Sequence, residues 1–303
     1  PMNKMASLCG LIVLCMTAFS EINGQVISGL ERLVADNAKL TKVSDQFIFT
    51  EGPTTDKAGN VYFTDQPNNK IWKYDTNGQL TVFMDEAGRA NGLYFDNDGY
   101  LIACADRDNE MWRIDAEGKK EIILKGQNNQ PFNGPNDVWV APNGNFYFTD
   151  PYYHRPYWNR IEKKPAQQNV YLMINGKGPA TKLDSTLLQP NGIIGSADGK
   201  CLYVADIVGD KTYKYKIGKG GKLTERKLFV NQGSDGMILD KSGNLYLTGN
   251  GVTIYNEEGK KIGHIDIPSN WTGNICFSGK DHKTLFITAS ESIYTLKMKV
   301  SGQ

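Results

Sequence analysis

The segment NDVWVAPNGNFYFTD at residues 136–150 places two short apolar runs on either side of a Pro-Asn-Gly-Asn turn. The second run is aromatic and β-branched, the composition of a strand, so the segment predicts an antiparallel hairpin. The same design recurs along the chain. EGPTTDKAGNVYFTD starts at Glu51, NGLYFDNDGYLIACAD at Asn91 and NGIIGSADGKCLYVAD at Asn191. DGMILDKSGNLYLTGN starts at Asp235 and NICFSGKDHKTLFITAS at Asn274. The six starts lie 40, 45, 55, 44 and 39 residues apart. A third strand-like run follows several hairpins, as in KIWKYD, EMWRID, KTYKYKI and SIYTLKM, and a fourth precedes the next unit, as in LTVFMD. Four short strands in a repeat of about 40 residues define a propeller blade. The fold class predicted is therefore all-β, a six-bladed β-propeller of four-stranded blades. The last unit has room for only three strands, and AKLTKVSD at 38–45 is the expected fourth, so that the chain start closes the ring and removes a sheet edge. GLERLVADNA, just upstream, is expected to be a short helical lead-in.

The 303 residues carry 34 Lys and Arg against 33 Asp and Glu, a balance that speaks against nucleic acid or an anionic membrane as partner. A hydrophobic share of 40% excludes a disordered chain. The long apolar run is MASLCGLIVLCMTAF at 5–19, behind Lys4. It is shorter than the roughly 20 residues of a membrane span, and with Ala18 and Ser20 behind it the pattern is that of a secretory signal peptide. The expected organisation is a signal peptide at 1–24 and a propeller domain at 25–303, secreted or periplasmic, with no membrane attachment after cleavage. Cys104, Cys201 and Cys276 then remain, each in a strand-like run, and are read as core thiols.

Equivalent positions on innermost strands ring the axis of a propeller. The six unit starts, Glu51, Asn91, Asn136, Asn191, Asp235 and Asn274, all carry a side-chain oxygen, and two are carboxylates. Two acids facing a narrow channel repel unless neutralised. Carboxylate and amide oxygens without His or Cys suit a hard divalent cation, and a wide channel with flexible amides favours Ca2+. Acids also end the second strand of four units, at Asp65, Asp106, Asp150 and Asp206, where a structural hydrogen bond is the expected role. The longest spacing holds an aromatic insertion after Asp150, PYYHRPYWNRIEKKPAQQ, containing His154 and Arg155. It leaves the mouth side of blade three and is a candidate cover for a ligand.

The motifs FIFTEGP at 47–53, NGPNDV at 133–138, YFTDP at 147–151, QPNGI at 189–193 and SDGM at 234–237, in this order, resemble the gluconolactonase/regucalcin family, with a more distant likeness to diisopropyl fluorophosphatase. The resemblance implies a six-bladed propeller with one catalytic divalent metal, usually calcium. It implies Glu51, Asn136, Asn191 and Asp235 as metal ligands and Asp235 as general base or nucleophile. Asn91 and Asn133 would border the substrate pocket, and the insertion adds His154 as a substrate-binding candidate. Gly134 stands where regucalcin-like members carry an arginine, and Ile238 where the phosphatase carries an acid at a second calcium.

The chemistry expected is calcium-dependent hydrolysis of a small-molecule sugar lactone. Two alternatives keep the same ring: a phosphotriesterase-like hydrolase, and a non-catalytic propeller that binds glycan or protein around a structural calcium. No GxSxG elbow, HExxH or P-loop occurs in the sequence.

Overall fold

A computed structural model describes residues 30–158 and 167–303. It contains six four-stranded antiparallel sheets. Five are built from consecutive strands, within residues 50–85, 90–124, 138–184, 190–230 and 237–265. The sixth joins Asn274–Ser278, Thr284–Ala289 and Ser292–Lys297 to the early strand Thr41–Ser44. Thr41 pairs with Thr295 and Lys42 with Tyr294, so the predicted closure by the segment around residues 38–45 is present. Each innermost strand packs against the next, and that of blade six packs against that of blade one, completing the ring. The expected helical lead-in is only a 3-10 turn at Leu30–Arg32. The signal segment lies outside the described residues. Among the described residues no helix is long and apolar enough to cross a membrane.

A threonine near the end of the second strand in three blades explains how those blades lock to the next. Thr64 Oγ1 donates to the carbonyl of Asn91 in the next blade (3.0 Å), Thr149 Oγ1 to Asn191 (2.8 Å) and Thr248 Oγ1 to Gly273 (2.8 Å). These hydroxyls are buried, so each bond satisfies a donor that water cannot reach. Between the blades lie interlocked apolar faces, for example Trp139, Tyr147, Leu202, Val204 and Leu247 in one cluster. Cys104 and Cys276 are buried free thiols and Cys201 is a half-buried one, as predicted.

Close approach at the axis demands glycine. Gly52 has a positive φ of 47°, and a Cβ there would lie 2.1 Å from the Asn91 carbonyl oxygen. Gly52→Ala is expected to lose roughly 2–4 kcal/mol of stability, because both the backbone conformation and the space forbid the methyl group. Urea unfolding of the variant checks this.

The opposite end of the channel is lined by all six innermost strands, including Thr54, Tyr94, Trp139, Gly195, Ile238 and Phe277, around a cavity of about 370 Å3. Gln303 reaches into this end and donates from Nε2 to the Gly195 carbonyl at 2.9 Å. The ring acids stand at the other mouth.

Candidate active site

Hydrogen bonds between the first two strands of a blade define the ring positions independently of the side chains. The N–H groups of Asn136 and Asp137 donate to the Thr149 carbonyl (2.9 Å) and Oγ1 (3.2 Å). Those of Gly273 and Asn274 donate to the Thr288 carbonyl (2.9 Å) and Oγ1 (3.0 Å). Gly273 is therefore the blade-six counterpart of Asn136, and Asn274 the counterpart of Asp137. The expectation that Asn274 is the sixth ring member is corrected by one residue. The ring consists of Glu51, Asn91, Asn136, Asn191, Asp235 and Gly273, five oxygen-bearing side chains and one gap. That gap has a purpose, because a Cβ on Gly273 would lie 3.0 Å from Glu51 Oε1.

One residue further along, four blades carry glycine (Gly52, Gly92, Gly192, Gly236) and two carry side chains, Asp137 and Asn274. These two occupy the space the glycines leave. A Cβ on Gly92 would lie 2.6 Å from Asp137 Oδ1, and one on Gly236 would lie 2.0 Å from the Asn274 side chain. Each is pinned by the following N–H, with Val138 N donating to Asp137 Oδ1 (2.9 Å) and Ile275 N to Asn274 Oδ1 (2.8 Å). Asn274 also favours the charged forms of the Glu51 and Asp137 carboxyls, so it acts from beneath the ring.

Glu51 and Asp235 converge. The Asp235 charge acts on the Glu51 carboxyl, and Glu51 and Asn191 in turn lower Asp235, so the three share one site. Burial and the Asp235 charge push Glu51 well above the usual carboxylate range. Burial raises Asp235 to about 6, against the pull of the Trp271 hydrogen bond. Burial likewise raises Asp137 to about 7. Three acids thus share one channel end, one more than the ring pattern suggested.

The amides supply further oxygens. Asn191 Nδ2 donates to the Tyr153 hydroxyl at 2.8 Å, which turns its Oδ1 away, and that oxygen is buried without a hydrogen-bond partner. Asn91 Oδ1 is buried and unpartnered as well. A buried orphan oxygen beside two carboxylates is an arrangement water or a cation must complete. Among the described residues no group of three or more His, Cys, Asp or Glu side chains is set up to hold a metal. The donor set here is mixed, with amide oxygens beside the carboxylates, and that mixture fits a hard divalent cation.

The remaining candidates fall differently. Asn136 is buried in the ring, and its carbonyl accepts from Gly92 N at 2.7 Å. Asn133 uses its amide to tie loops together, donating from Nδ2 to the carbonyls of Asp150 (3.0 Å) and Gln167 (3.2 Å). His154 is exposed, while its neighbour Tyr153 meets the ring at Asn191, and Tyr153 and Arg155 both act electrostatically on Asp235. Trp271 Nε1 donates to Asp235 Oδ2 at 2.6 Å, fixing the carboxylate from the loop before blade six. Neither Trp271 nor Tyr153 sits at a repeated position, so the repeat carried no signal for them. Asp137 was visible in NDV, but its equivalents are glycines and a single Asn.

The profile of the SMP-30/gluconolactonase/LRE-like region matches residues 49–291. The chain belongs to this family. Gluconolactonase of Zymomonas mobilis is 25% identical over an alignment covering 100% of this chain and 95% of that protein. The solved gluconolactonase of Xanthomonas campestris superposes with a TM-score of 0.82 at 26% identity, covering 90% of this chain and 93% of its own. The calcium-binding regucalcin of Agrobacterium tumefaciens shares the fold, with a TM-score of 0.73 at 20% identity over 86% and 94% of the two chains. Named relatives of the chain in this family include lactone hydrolases.

Proposed function

We propose that the protein hydrolyses a sugar lactone at the Glu51–Asn191–Asp235 end of the channel, with a divalent cation, calcium by preference. The observation that carries this reading is the convergence of the Glu51 and Asp235 carboxyls beside the orphaned Asn191 oxygen. Two buried carboxyls that act on each other need either a shared proton or a cation. Glu51, Asn136, Asn191 and Asp235 would hold the cation. When bound, it would neutralise the pair and polarise the ester carbonyl as a Lewis acid.

The side chains supply the rest. Water attacks the ring carbonyl carbon, and Asp235 accepts the proton that water gives up. Collapse of the tetrahedral adduct breaks the ring C–O bond, and the proton passes to the departing ring oxygen, leaving an open-chain hydroxy acid. Trp271 holds the Asp235 carboxylate in one orientation throughout, so the base meets the water without reorganising. Asn91, with an unpartnered oxygen at the ring, would border the substrate. Secretion or a periplasmic location, expected from the leader at residues 1–24, would place the activity outside the cytoplasm.

An assay of the purified protein across a lactone panel, with chelator and with Ca2+ added back, tests the reading. Hydrolysis of an aldonolactone that vanishes with chelator and returns with Ca2+ is the expected result. Absence of turnover on every lactone with Ca2+ present overturns it.

A further inference from the structure

The four acids that end second strands are not alike in the fold. Asp65 accepts from the N–H groups of Ile48 (3.2 Å) and Phe49 (3.3 Å), the residues leading into its own blade. Asp150 does the same for Asn133 (3.1 Å) and Gly134 (2.8 Å), and Asp206 for Leu188 and Gln189 (both 2.9 Å). Asp106 is spent elsewhere. Its Oδ2 accepts from Arg155 Nε at 2.7 Å, from the Tyr157 hydroxyl and from Gln66 Nε2 at 3.2 Å. Its carbonyl accepts from Trp158 Nε1 at 3.1 Å. At the lead-in to blade two another group takes this part, Arg89 N donating to Asn69 Oδ1 at 2.6 Å.

Blade two thus gives up a structural acid to hold residues 155–158 of the blade-three insertion. Gly134 makes room for this, since a Cβ there would lie 2.5 Å from Asp106 Oδ1 and 3.5 Å from Trp158. Arg89 stacks over the Tyr157 ring with its guanidinium carbon 4.3 Å from the centroid, a further tie from blade two. The ion pair is buried, with the Arg155 and Asp106 side chains 20% and 3% exposed. A buried, charge-assisted cluster of this kind holds one geometry. Through Arg155 it holds Tyr153, two residues earlier, whose hydroxyl receives the Asn191 amide, and it fixes the Arg155 charge that acts on Asp235. The Arg155 guanidinium carbon also lies 5.1 Å from the centroid of the Tyr153 ring.

We propose that Asp106 is a positioning residue that latches residues 153–158 across the channel mouth, making Tyr153 and Arg155 a fixed, polar roof that selects compact, hydroxyl-rich lactones over aryl-fused ones. This rests on the lactonase reading. Tyr153 presents a hydroxyl beside the ring and Arg155 a fixed positive charge, groups that a polyhydroxylated ring can hydrogen-bond and an aryl-fused ring cannot. Removing a hydrogen-bonding partner that a hydroxylated substrate needs weakens that substrate selectively.

The test compares wild type, Asp106→Asn and Tyr157→Phe, each loaded with Ca2+, on glucono-1,5-lactone and dihydrocoumarin. Asp106→Asn is expected to raise KM for the sugar lactone about tenfold while kcat changes less than about threefold, the scale of a lost charge-assisted contact. The ratio of kcat/KM between the two lactones should move about tenfold toward dihydrocoumarin, with Tyr157→Phe in between. Hydrogen exchange of residues 151–158 should quicken in both variants while the blades stay protected. Unchanged exchange in 151–158, or a substrate ratio that stays within about twofold of wild type, overturns the latch. Should wild type hydrolyse neither lactone, the lactonase reading fails by itself, and the exchange comparison alone decides whether Asp106 holds the roof.

Discussion

Asp235→Asn is expected to lower kcat/KM for an aldonolactone by roughly 10³-fold, the scale of a lost general base, while the fold persists. The substitution is nearly isosteric. Trp271 Nε1, 2.6 Å from Asp235 Oδ2 in the wild type, would still find an oxygen to donate to. The new amide N–H groups would face the Glu51 carboxyl, exchanging a repulsive neighbour for a donor. Without cation, the variant should therefore be at least as stable as wild type, since one of two buried like charges has gone. Activity and stability would move in opposite directions, which a general unfolding effect would not produce. Steady-state kinetics with urea unfolding of the same samples checks both halves. Activity within about threefold of wild type would remove Asp235 from the chemistry. Single turnover in 18O-water separates its two conceivable roles. Label in the product alone fits activation of water, and label in the Asp235 carboxyl marks direct attack on the lactone.

The fold was legible because period, turn chemistry and strand composition agreed in every unit, down to the early strand Thr41–Ser44 that completes the last blade. The ring was legible at five positions for the same reason. It failed at the sixth because Gly273 has no side chain to mark it, while its neighbour Asn274 offered the oxygen the pattern led one to expect. The bonds of Gly273 and Asn274 to Thr288, and that of Thr248 to the Gly273 carbonyl, reveal the offset. Asp137 was passed over since alternation along a strand predicts one channel-facing residue per blade. Near the axis, four glycines at the following position open a second layer, and Asp137 and Asn274 fill it. Tyr153, Arg155 and Trp271 arrive from loops outside the repeat. No spacing argument could have placed them, and within the insertion the sequence pointed to His154, which is exposed.

The second large effect expected is a reversal of the pH dependence of stability by calcium. In the cation-free protein Asp235 is raised from 3.8 to about 6 and Asp137 from 3.8 to about 7, and Glu51 is raised well above 4.5. Between about pH 4 and pH 7 the folded state then holds protons that the unfolded chain has released. The unfolded state binds fewer protons, so stability falls as pH rises through this window. The contribution is fully present below about pH 4 and lost above about pH 7, and together the three groups should remove about 2 kcal/mol or more. Calcium favours the ionised carboxylates and should abolish the fall. At a concentration 100 times its dissociation constant it adds about 2.7 kcal/mol at pH 8. Urea midpoints at pH 4.5 and pH 8, in chelator and in Ca2+, give the four numbers needed. Glu51→Gln should make the chelator curve shallower, leaving the part set by burial of Asp137 and Asp235, and should weaken the calcium response. A chelated wild type equally stable at both pH values, or one indifferent to calcium at pH 8, would mean that the Glu51–Asp235 pair is neither strained without a cation nor relieved by one.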